Sequence, residues 1–292
     1  MANADIRRMR SEGFGEFRFV PITEGLPIPW AESSLLEQYR SLIADRVFYP
    51  GLHGFTHFSP EGMLRGWHDT GEYGERTRSL LIEDIPYLAS VTPEYNFALL
   101  DRSDRAEVYA DYSVQRDWVG RGVQLFREAF GYPPVTTCAP GYRYNDASFA
   151  AWVDCRIRVV QTPGSVGVYE SERVMVIERN VAFEPLLDDG QVVEKALNRM
   201  RHVVAAGWIP VICTHSINYI SRYCAGRDNS LKCLARFLWE VKNSFPEMRF
   251  ANDADVLTAY SNRDTGWFRP ARIQELVHRQ RLARTSFGDQ LE

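Results

Sequence analysis

Short runs rich in β-branched and aromatic residues alternate with longer segments of helical periodicity along almost the whole chain. The run "RVMVIE" (173–178) predicts a strand, and the amphipathic segment after it predicts a helix that ends at Gly207. The run "WIPVICTH" (208–215) predicts the most deeply buried strand, and "EMRFAN" (247–252) predicts the last one. Because strands that alternate with helices are joined by crossovers, this order predicts a mostly parallel sheet with helices outside it.

No internal repeat or low-complexity linker divides the sequence, so we predict one α/β domain over residues 1–265. The chain has 292 residues and 45% hydrophobic content, which is ample for such a core, although the length also allows two small domains. The remaining residues, 266–292, are more basic and less apolar. We predict a solvated helix or a frayed end there, with a partner-binding helix as the alternative.

Charge and composition argue against several classes of partner. The formal net charge of -4 gives no basic surface for nucleic acid, and no apolar run is long enough to span a bilayer. The five scattered cysteines are typical of reduced thiols rather than of a disulfide framework. The N-terminal residues carry no secretory signal, so we predict a cytoplasmic protein if Met1 is the true start; a truncated N-terminus would hide a signal. The sequence leaves the oligomeric state open.

Three polar motifs follow predicted strands, at the points where those strands end. His53 and His57 lie in the loop "YPGLHGFTHF", a second motif is "CAPGYRYND" (138–146), and a third is "THSINY" (214–219). Because the carboxyl ends of parallel strands meet at one edge of a sheet or barrel, the order predicts that these motifs share one site.

The histidine pair is compatible with a metal site. Imidazole nitrogens are common ligands of zinc, and the glycines of this loop allow a backbone path that brings both rings to the same side. Two loop histidines that only satisfy local hydrogen bonds fit the pair equally well.

Several of these segments resemble motifs of the polysaccharide deacetylases, carbohydrate esterase family 4. "GLHGFTH" is similar to their H-x-x-x-H metal motif, "CAPGYRYN" to their R-x-P-Y segment, and "ICTH" to their last catalytic strand. Phe183-Glu184-Pro185 and "HSINY" (215–219) are similar to segments of bacterial polysaccharide deacetylase-like proteins. The resemblance runs from about residue 45 to about residue 260 and implies a distorted (β/α)7-type barrel of mostly parallel strands.

The resemblance also implies roles for individual residues. His53 and His57 become ligands of a divalent metal, with zinc the expected ion, and His215 becomes the general acid that protonates the leaving group. Backbone N–H groups near Gly141 or Tyr142 would hold the oxyanion of the tetrahedral intermediate. The substrate would be an acylated carbohydrate.

The sequence departs from the family at two places. The esterases begin with a strand that ends in T-F-D-D and supplies the base and the third metal ligand, whereas no such motif precedes His53 here. The chain therefore looks incomplete at its N-terminus, or it lacks the base, and we expect slow or absent deacetylation. Cys138 also stands where the family has an arginine, and Arg143 is the candidate replacement.

Four more residues are candidates on their position alone. Glu184 and Asp101 follow predicted strands and suit a base, a third metal ligand or a solvated carboxylate equally. Asn218 and Tyr219 are candidates for substrate binding or for fixing the loop around His215.

The leading hypothesis is a metal-dependent hydrolase that removes an N- or O-acyl group from a carbohydrate. One alternative is a glycoside hydrolase that uses Glu184 and Asp101 in the same barrel, and another is a sugar-binding homologue without the base. No phosphate-binding loop, dinucleotide fingerprint or G-x-S-x-G elbow occurs, which argues against nucleotide chemistry and serine hydrolysis.

Overall fold

The structure is a computed structural model. It describes residues 1–26, 34–57, 59–82, 98–100, 107–164, 168–171, 174–186, 190–219, 226–264 and 266–267. The chain divides into two compact units, Met1–Arg158 and Val159–Glu292, and each is described here by itself. The predicted boundary at residue 265 stays a prediction.

The first unit is a mixture of short strands and longer helices. Its strands are β1 (Ala2–Ala4), β2 (Phe19–Pro21), β3 (Ala98–Leu100), β4 (Glu107–Tyr109) and β5 (Thr136–Cys138). Its helices are α1 (Ile6–Ser11), α2 (Leu35–Ala44), α3 (Pro60–His68), α4 (Glu72–Ile82), α5 (Tyr112–Phe130) and α6 (Asp146–Asp154). β1 pairs with β2 and β3 with β4, both antiparallel, and Leu52 forms a parallel bridge with Thr137 of β5.

A small apolar cluster forms part of the core of this unit. α1 has apolar residues three apart, so Ile6 and Met9 both face inward, and the cluster also contains Ala4, Phe14, Met63 and Leu81. Phe14 stacks on Trp67 of α3 with ring centroids 3.8 Å apart. This stacking ties the N-terminal elements to the helix that follows the histidine loop.

The second unit contains the remaining strands, β6 (Val159–Pro163), β7 (Val168–Ser171), β8 (Val174–Arg179), β9 (Val181–Ala182) and β10 (Ile212–Cys213). Its helices are α7 (Val192–Ala205), α8 (Arg227–Ser244) and α9 (Asp253–Ser261). β6 lies parallel to β8, β7 runs antiparallel along the other side of β8, and β9 pairs in parallel with β10.

The core of the second unit lies between the inner faces of α7 and α8 and strand β9. Val193, Leu197 and Met200 of α7 recur at helical spacing and pack with Phe237 of α8. Phe183, one residue beyond β9, is fully buried and stacks on Phe237 with centroids 4.6 Å apart. This contact holds the Phe183 side chain against the core, immediately before Glu184.

The mixed α/β class predicted from the sequence is confirmed, but the described residues form no closed barrel. Their strands are short, and β7 runs antiparallel to β8 instead of continuing a parallel series. Helix α7 ends just before Gly207, as its pattern predicts, and Gly207 adopts a φ of 79°. Of the helices within the described ranges, none combines the length and the apolar character that a bilayer crossing requires.

Two strand predictions need correction. "WIPVICTH" contains a strand only at Ile212–Cys213, and that strand is half-buried rather than deeply buried. Pro210 lacks the N–H group that a longer ladder would need there. "EMRFAN" forms no strand: Met248 closes a turn after α8 by donating its N–H to the Phe245 carbonyl at 2.9 Å. Phe250 is exposed.

Candidate active site

The parallel pairing of β9 with β10 brings two polar residues together at its carboxyl end. Cys213 lies opposite Ala182, and the Phe183 N–H donates to the Cys213 carbonyl at 2.8 Å, so the chains stay in register beyond the strands. The next pair on the outward-facing side is Glu184 and His215. Because side chains alternate along an extended chain, burial of Phe183 directs Glu184 away from the core.

The start of β10 is held by backbone bonds and by a side chain. The Asn180 and Val181 N–H groups both donate to the Val211 carbonyl, at 3.2 and 3.0 Å. Asn180 precedes β9, donates from Nδ2 to the Ile209 carbonyl at 3.0 Å and accepts the Val211 N–H at 2.8 Å. Arg199 of α7 donates in turn to the Asn180 carbonyl at 2.8 Å. The buried Asn180 amide therefore helps to align the two short strands that lead to Glu184 and His215.

His215 and Glu184 form a hydrogen-bonded pair. The His215 Nδ1 atom lies 2.7 Å from Glu184 Oε1, and because an ionised carboxylate only accepts, Nδ1 is the donor. This assignment leaves the lone pair of the neutral imidazole on Nε2. The His215 side chain is 60% exposed and that of Glu184 is 20% exposed. A proton-accepting nitrogen is thus presented to solvent by a ring whose other nitrogen is anchored.

Asn218 fixes the orientation of Glu184. Its side chain is buried, and Nδ2 donates to Glu184 Oε2 and to the His215 carbonyl, the latter at 2.8 Å. Its Oδ1 atom accepts the Leu186 N–H at 3.1 Å. The amide therefore ties both partners of the pair to the backbone, which is a positioning role within the protein.

Tyr219 belongs to the same 3-10 turn, Ser216–Tyr219. Its hydroxyl group lies 2.8 Å from Thr214 Oγ1. Burial raises the pKa of Tyr219 above its ordinary value, and the negative charge of Glu184 acts in the same direction, while the Thr214 hydrogen bond opposes it. The phenol is therefore protonated near neutral pH and suits hydrogen bonding rather than the role of a base.

Cys213 is a residue of this site that the sequence-based hypothesis did not include. One ligand atom from each of Glu184, Cys213 and His215 lies within 4.8 Å of the others, and within the described ranges this is the one such group of three. Arg179 donates from Nη1 to Cys213 Sγ at 3.7 Å. The sequence feature that could have identified Cys213 is its spacing from His215. In an extended segment, residues two apart face the same side, so Cys213 and His215 are expected to lie together.

The predicted metal ligands lie in the first unit. The His53 and His57 rings have centroids 5.0 Å apart, and His53 Nδ1 donates to the Cys138 carbonyl at 2.8 Å. A metal-binding histidine commonly anchors its second nitrogen in this way and coordinates through the other, so the geometry of His53 fits a ligand role. The Leu52–Thr137 bridge holds the histidine loop against β5.

The predicted oxyanion-binding segment forms a 3-10 turn, Pro140–Tyr142, beyond β5. Gly141 and Tyr142 both have positive φ angles, 59° and 56°, which is uncommon for a tyrosine. The Tyr142 N–H donates to the Ala139 carbonyl at 2.9 Å and the Arg143 N–H to the Pro140 carbonyl at 3.2 Å. The Tyr142 N–H is thus engaged in the turn, and oxyanion binding by Gly141 stays a prediction.

The residues predicted from the sequence therefore form two groups, and each group lies within one unit. His53, His57 and the turn through Gly141, Tyr142 and Arg143 belong to the first unit; Glu184, His215, Asn218 and Tyr219 belong to the second. Asp101 lies outside the described residues, so the carboxylate pair of the glycosidase alternative stays a prediction.

No protein-family model matches the sequence, and no curated protein matches it. Among solved structures, the chain is similar to a candidate polysaccharide deacetylase from Mycobacterium smegmatis, with 21% sequence identity and a TM-score of 0.33. The alignment covers 45% of this chain and 51% of the other, so the chain spans about half the length of that protein. At so low a score, any functional proposal has to rest on the chain's own residues.

Proposed function

We propose that the chain is a hydrolase that removes an N- or O-acyl group from a carbohydrate, with Glu184 and His215 as its proton-transfer pair. The single observation that carries this proposal is the 2.7 Å hydrogen bond between His215 Nδ1 and Glu184 Oε1 on an exposed imidazole. A carboxylate on one nitrogen selects the tautomer whose other nitrogen accepts a proton, and it stabilises the imidazolium that results.

The pair can serve both halves of a hydrolysis. His215 Nε2 takes a proton from water while the water oxygen bonds to the acyl carbon. The same proton then passes from Nε2 to the sugar nitrogen or oxygen as the acyl C–N or C–O bond breaks. The products are the carboxylic acid and the sugar amine or hydroxyl, and His215 returns to its neutral form. With both steps assigned to His215, the proposed reaction needs no separate aspartate base.

The resemblance to polysaccharide deacetylases suggests the substrate and the metal. His53 and His57 would hold a divalent ion, with zinc the expected one, and the bond from His53 Nδ1 to Cys138 supports coordination through Nε2. When bound, such an ion polarises an acyl carbonyl and lowers the pKa of a bound water. Gly141 as an oxyanion donor, and Arg143 and Tyr219 as substrate-binding residues, complete the proposal.

The test is release of acetate from acetylated sugars and oligosaccharides by the purified chain supplied with zinc. General acid–base groups typically contribute about 10²–10⁴ in rate, so we expect a loss of that order in His215→Ala and partial rescue by added imidazole. Glu184→Gln keeps the shape of the side chain but loses its charge, and we expect a lower kcat and an altered pH profile. The matched control is His202→Ala, because His202 is an exposed histidine on α7.

Other outcomes would select other functions. Unchanged activity in His215→Ala would remove the pair from the mechanism. Cleavage of glycosidic bonds without acyl release would favour the glycoside hydrolase, and saturable binding of sugars without turnover would favour the sugar-binding homologue.

A further inference from the structure

We infer that Glu184, Cys213 and His215 form a binding site for a thiophilic divalent ion such as Zn²⁺, distinct from the metal predicted at His53 and His57, and that its occupation stops proton transfer by His215. The site lies entirely within the second unit. Ion binding follows from these three residues alone, whereas the inhibitory consequence rests on the proposed function.

Backbone geometry creates the site. Cys213 and His215 are two apart on one extended segment and face the same side, and the parallel register sets Glu184 across from His215. Their ligand atoms already lie within 4.8 Å of one another. Bonds of about 2.0–2.3 Å to zinc require ligand atoms roughly 3–4 Å apart, so a closure of about 1 Å completes the set. His215 can supply that movement, because its side chain is 60% exposed.

The donor set selects the class of ion. One sulfur, one imidazole nitrogen and one carboxylate oxygen suit Zn²⁺ or Co²⁺, whereas Mg²⁺ and Ca²⁺ require mainly oxygen ligands. Three protein ligands leave one tetrahedral position for water. Coordination of Cys213 as a thiolate releases its proton to solvent, so binding should weaken as the pH falls.

Residues around the three ligands already hold them as the second layer of a metal site would. Asn218 donates to Glu184 Oε2, which leaves Oε1 facing His215. Arg179 donates to Cys213 Sγ, and its own Nε donates to Gln161 at 2.8 Å. Such outer contacts orient ligands and typically affect metal affinity about 10–100-fold.

Metal binding and proton transfer exclude each other at His215. If Nδ1 coordinates the ion, the Glu184 hydrogen bond is lost; if Nε2 coordinates it, the lone pair that accepts the proton is used. Either geometry inactivates the Glu184–His215 pair. The rate of hydrolysis should therefore fall once the zinc concentration exceeds the one that gives the highest rate.

The decisive experiment is Co²⁺ titration of the full chain, stripped of metal with a chelator and kept reduced. A thiolate-to-cobalt charge-transfer band should appear in the native chain and in the His53→Ala/His57→Ala double variant. The band should disappear in Cys213→Ser and in Cys213→Ala, and it should weaken in His215→Ala. Cys233→Ala, a second half-buried cysteine of the same unit, is the matched control and should keep the band.

Absence of a band in the native chain, or its persistence in both Cys213 variants, would overturn the inference whatever the activity. In the active enzyme, the zinc concentration that halves each variant's own maximal rate should rise in Cys213→Ser by at least the roughly 10–100-fold that loss of an outer contact causes, because a direct ligand is lost. Equal inhibition of the native and Cys213→Ser chains would overturn the inhibitory role. The cobalt band needs no substrate. The experiment therefore distinguishes a chain that has no hydrolase activity from a chain that has no metal site.

Discussion

At the scale of single residues, Asn218 is the side chain on which the geometry of the Glu184–His215 pair most depends. It is almost fully buried and uses both ends of its amide, with Nδ2 on Glu184 and on the His215 carbonyl, and Oδ1 on the Leu186 N–H. A buried amide with every contact made by protein atoms is poorly suited to bind substrate. Of the two roles that the sequence left open for Asn218, fixing the loop is the one that these contacts favour.

We expect Asn218→Leu, which keeps most of the volume, to lower both stability and activity. Hydrogen bonds to charged groups contribute about 1.5–3 kcal/mol, so the free energy of unfolding in urea should fall by about that amount. The kcat should fall and its pH profile should shift, because Glu184 loses the donor that orients it. Asn198→Ala on α7, where Asn198 is exposed, is the matched control. A normal pH profile in Asn218→Leu would show that Asn218 only supports the fold.

At the scale of elements, the strands that carry the pair are too short to hold together by themselves. β9 and β10 have two residues each, whereas strands in proteins usually have about five or six. The Asn180 side chain adds two bonds to the backbone of 209–211 and so lengthens the pairing without a longer strand. The alignment of Glu184 with His215 therefore rests on this side chain together with the backbone bonds from the Asn180, Val181 and Phe183 N–H groups.

Asn180→Ala should loosen this alignment. It leaves the Ile209 carbonyl and the Val211 N–H without their side-chain partner. Both residues are half-buried, so each lost hydrogen bond should cost about 0.5–1.5 kcal/mol. We expect reduced stability in urea and a lower kcat with a smaller change in KM. Asn180→Asp keeps an acceptor for Val211 but sets a carboxylate oxygen against the Ile209 carbonyl oxygen at a buried position, so its loss of stability should be at least as large as that of Asn180→Ala. Native stability and activity in Asn180→Ala would mean that the strand register is held elsewhere.

The same elements show what the sequence could and could not predict. Helix signals are local: α9 begins at an Asn252 capping box and α7 ends near Gly207, so both were predictable from neighbouring residues. Strands depend on distant partners, which is why the local pattern predicts more strand than the structure has in "WIPVICTH" and "EMRFAN". Strand-end positions identify Glu184 and His215 as candidates, but only the register shows that they meet, and nothing local separates Cys213 from the other scattered thiols.

At the scale of the whole molecule, the two compact units have their own apolar clusters. Phe126 of α5 is fully buried in the first unit, with its ring 4.8 Å from Phe130 and 5.8 Å from Tyr132. Phe237 of α8 is fully buried in the second unit against Phe183. The two phenylalanines are matched in residue type, burial and helical setting, so they report separately on the two units.

We therefore expect Phe126→Ala and Phe237→Ala to act on different parts of the chain. Each creates a cavity that should cost about 3–5 kcal/mol, a large share of the roughly 5–15 kcal/mol that stabilises most folded domains. In hydrogen exchange followed by mass spectrometry, Phe237→Ala should speed exchange chiefly in α7, α8 and β9, and Phe126→Ala chiefly in α5. Because Phe183 adjoins Glu184, Phe237→Ala should also reduce activity more than Phe126→Ala. Equal loss of protection throughout both units in each variant would instead show one cooperative domain, which is what the sequence predicts for residues 1–265.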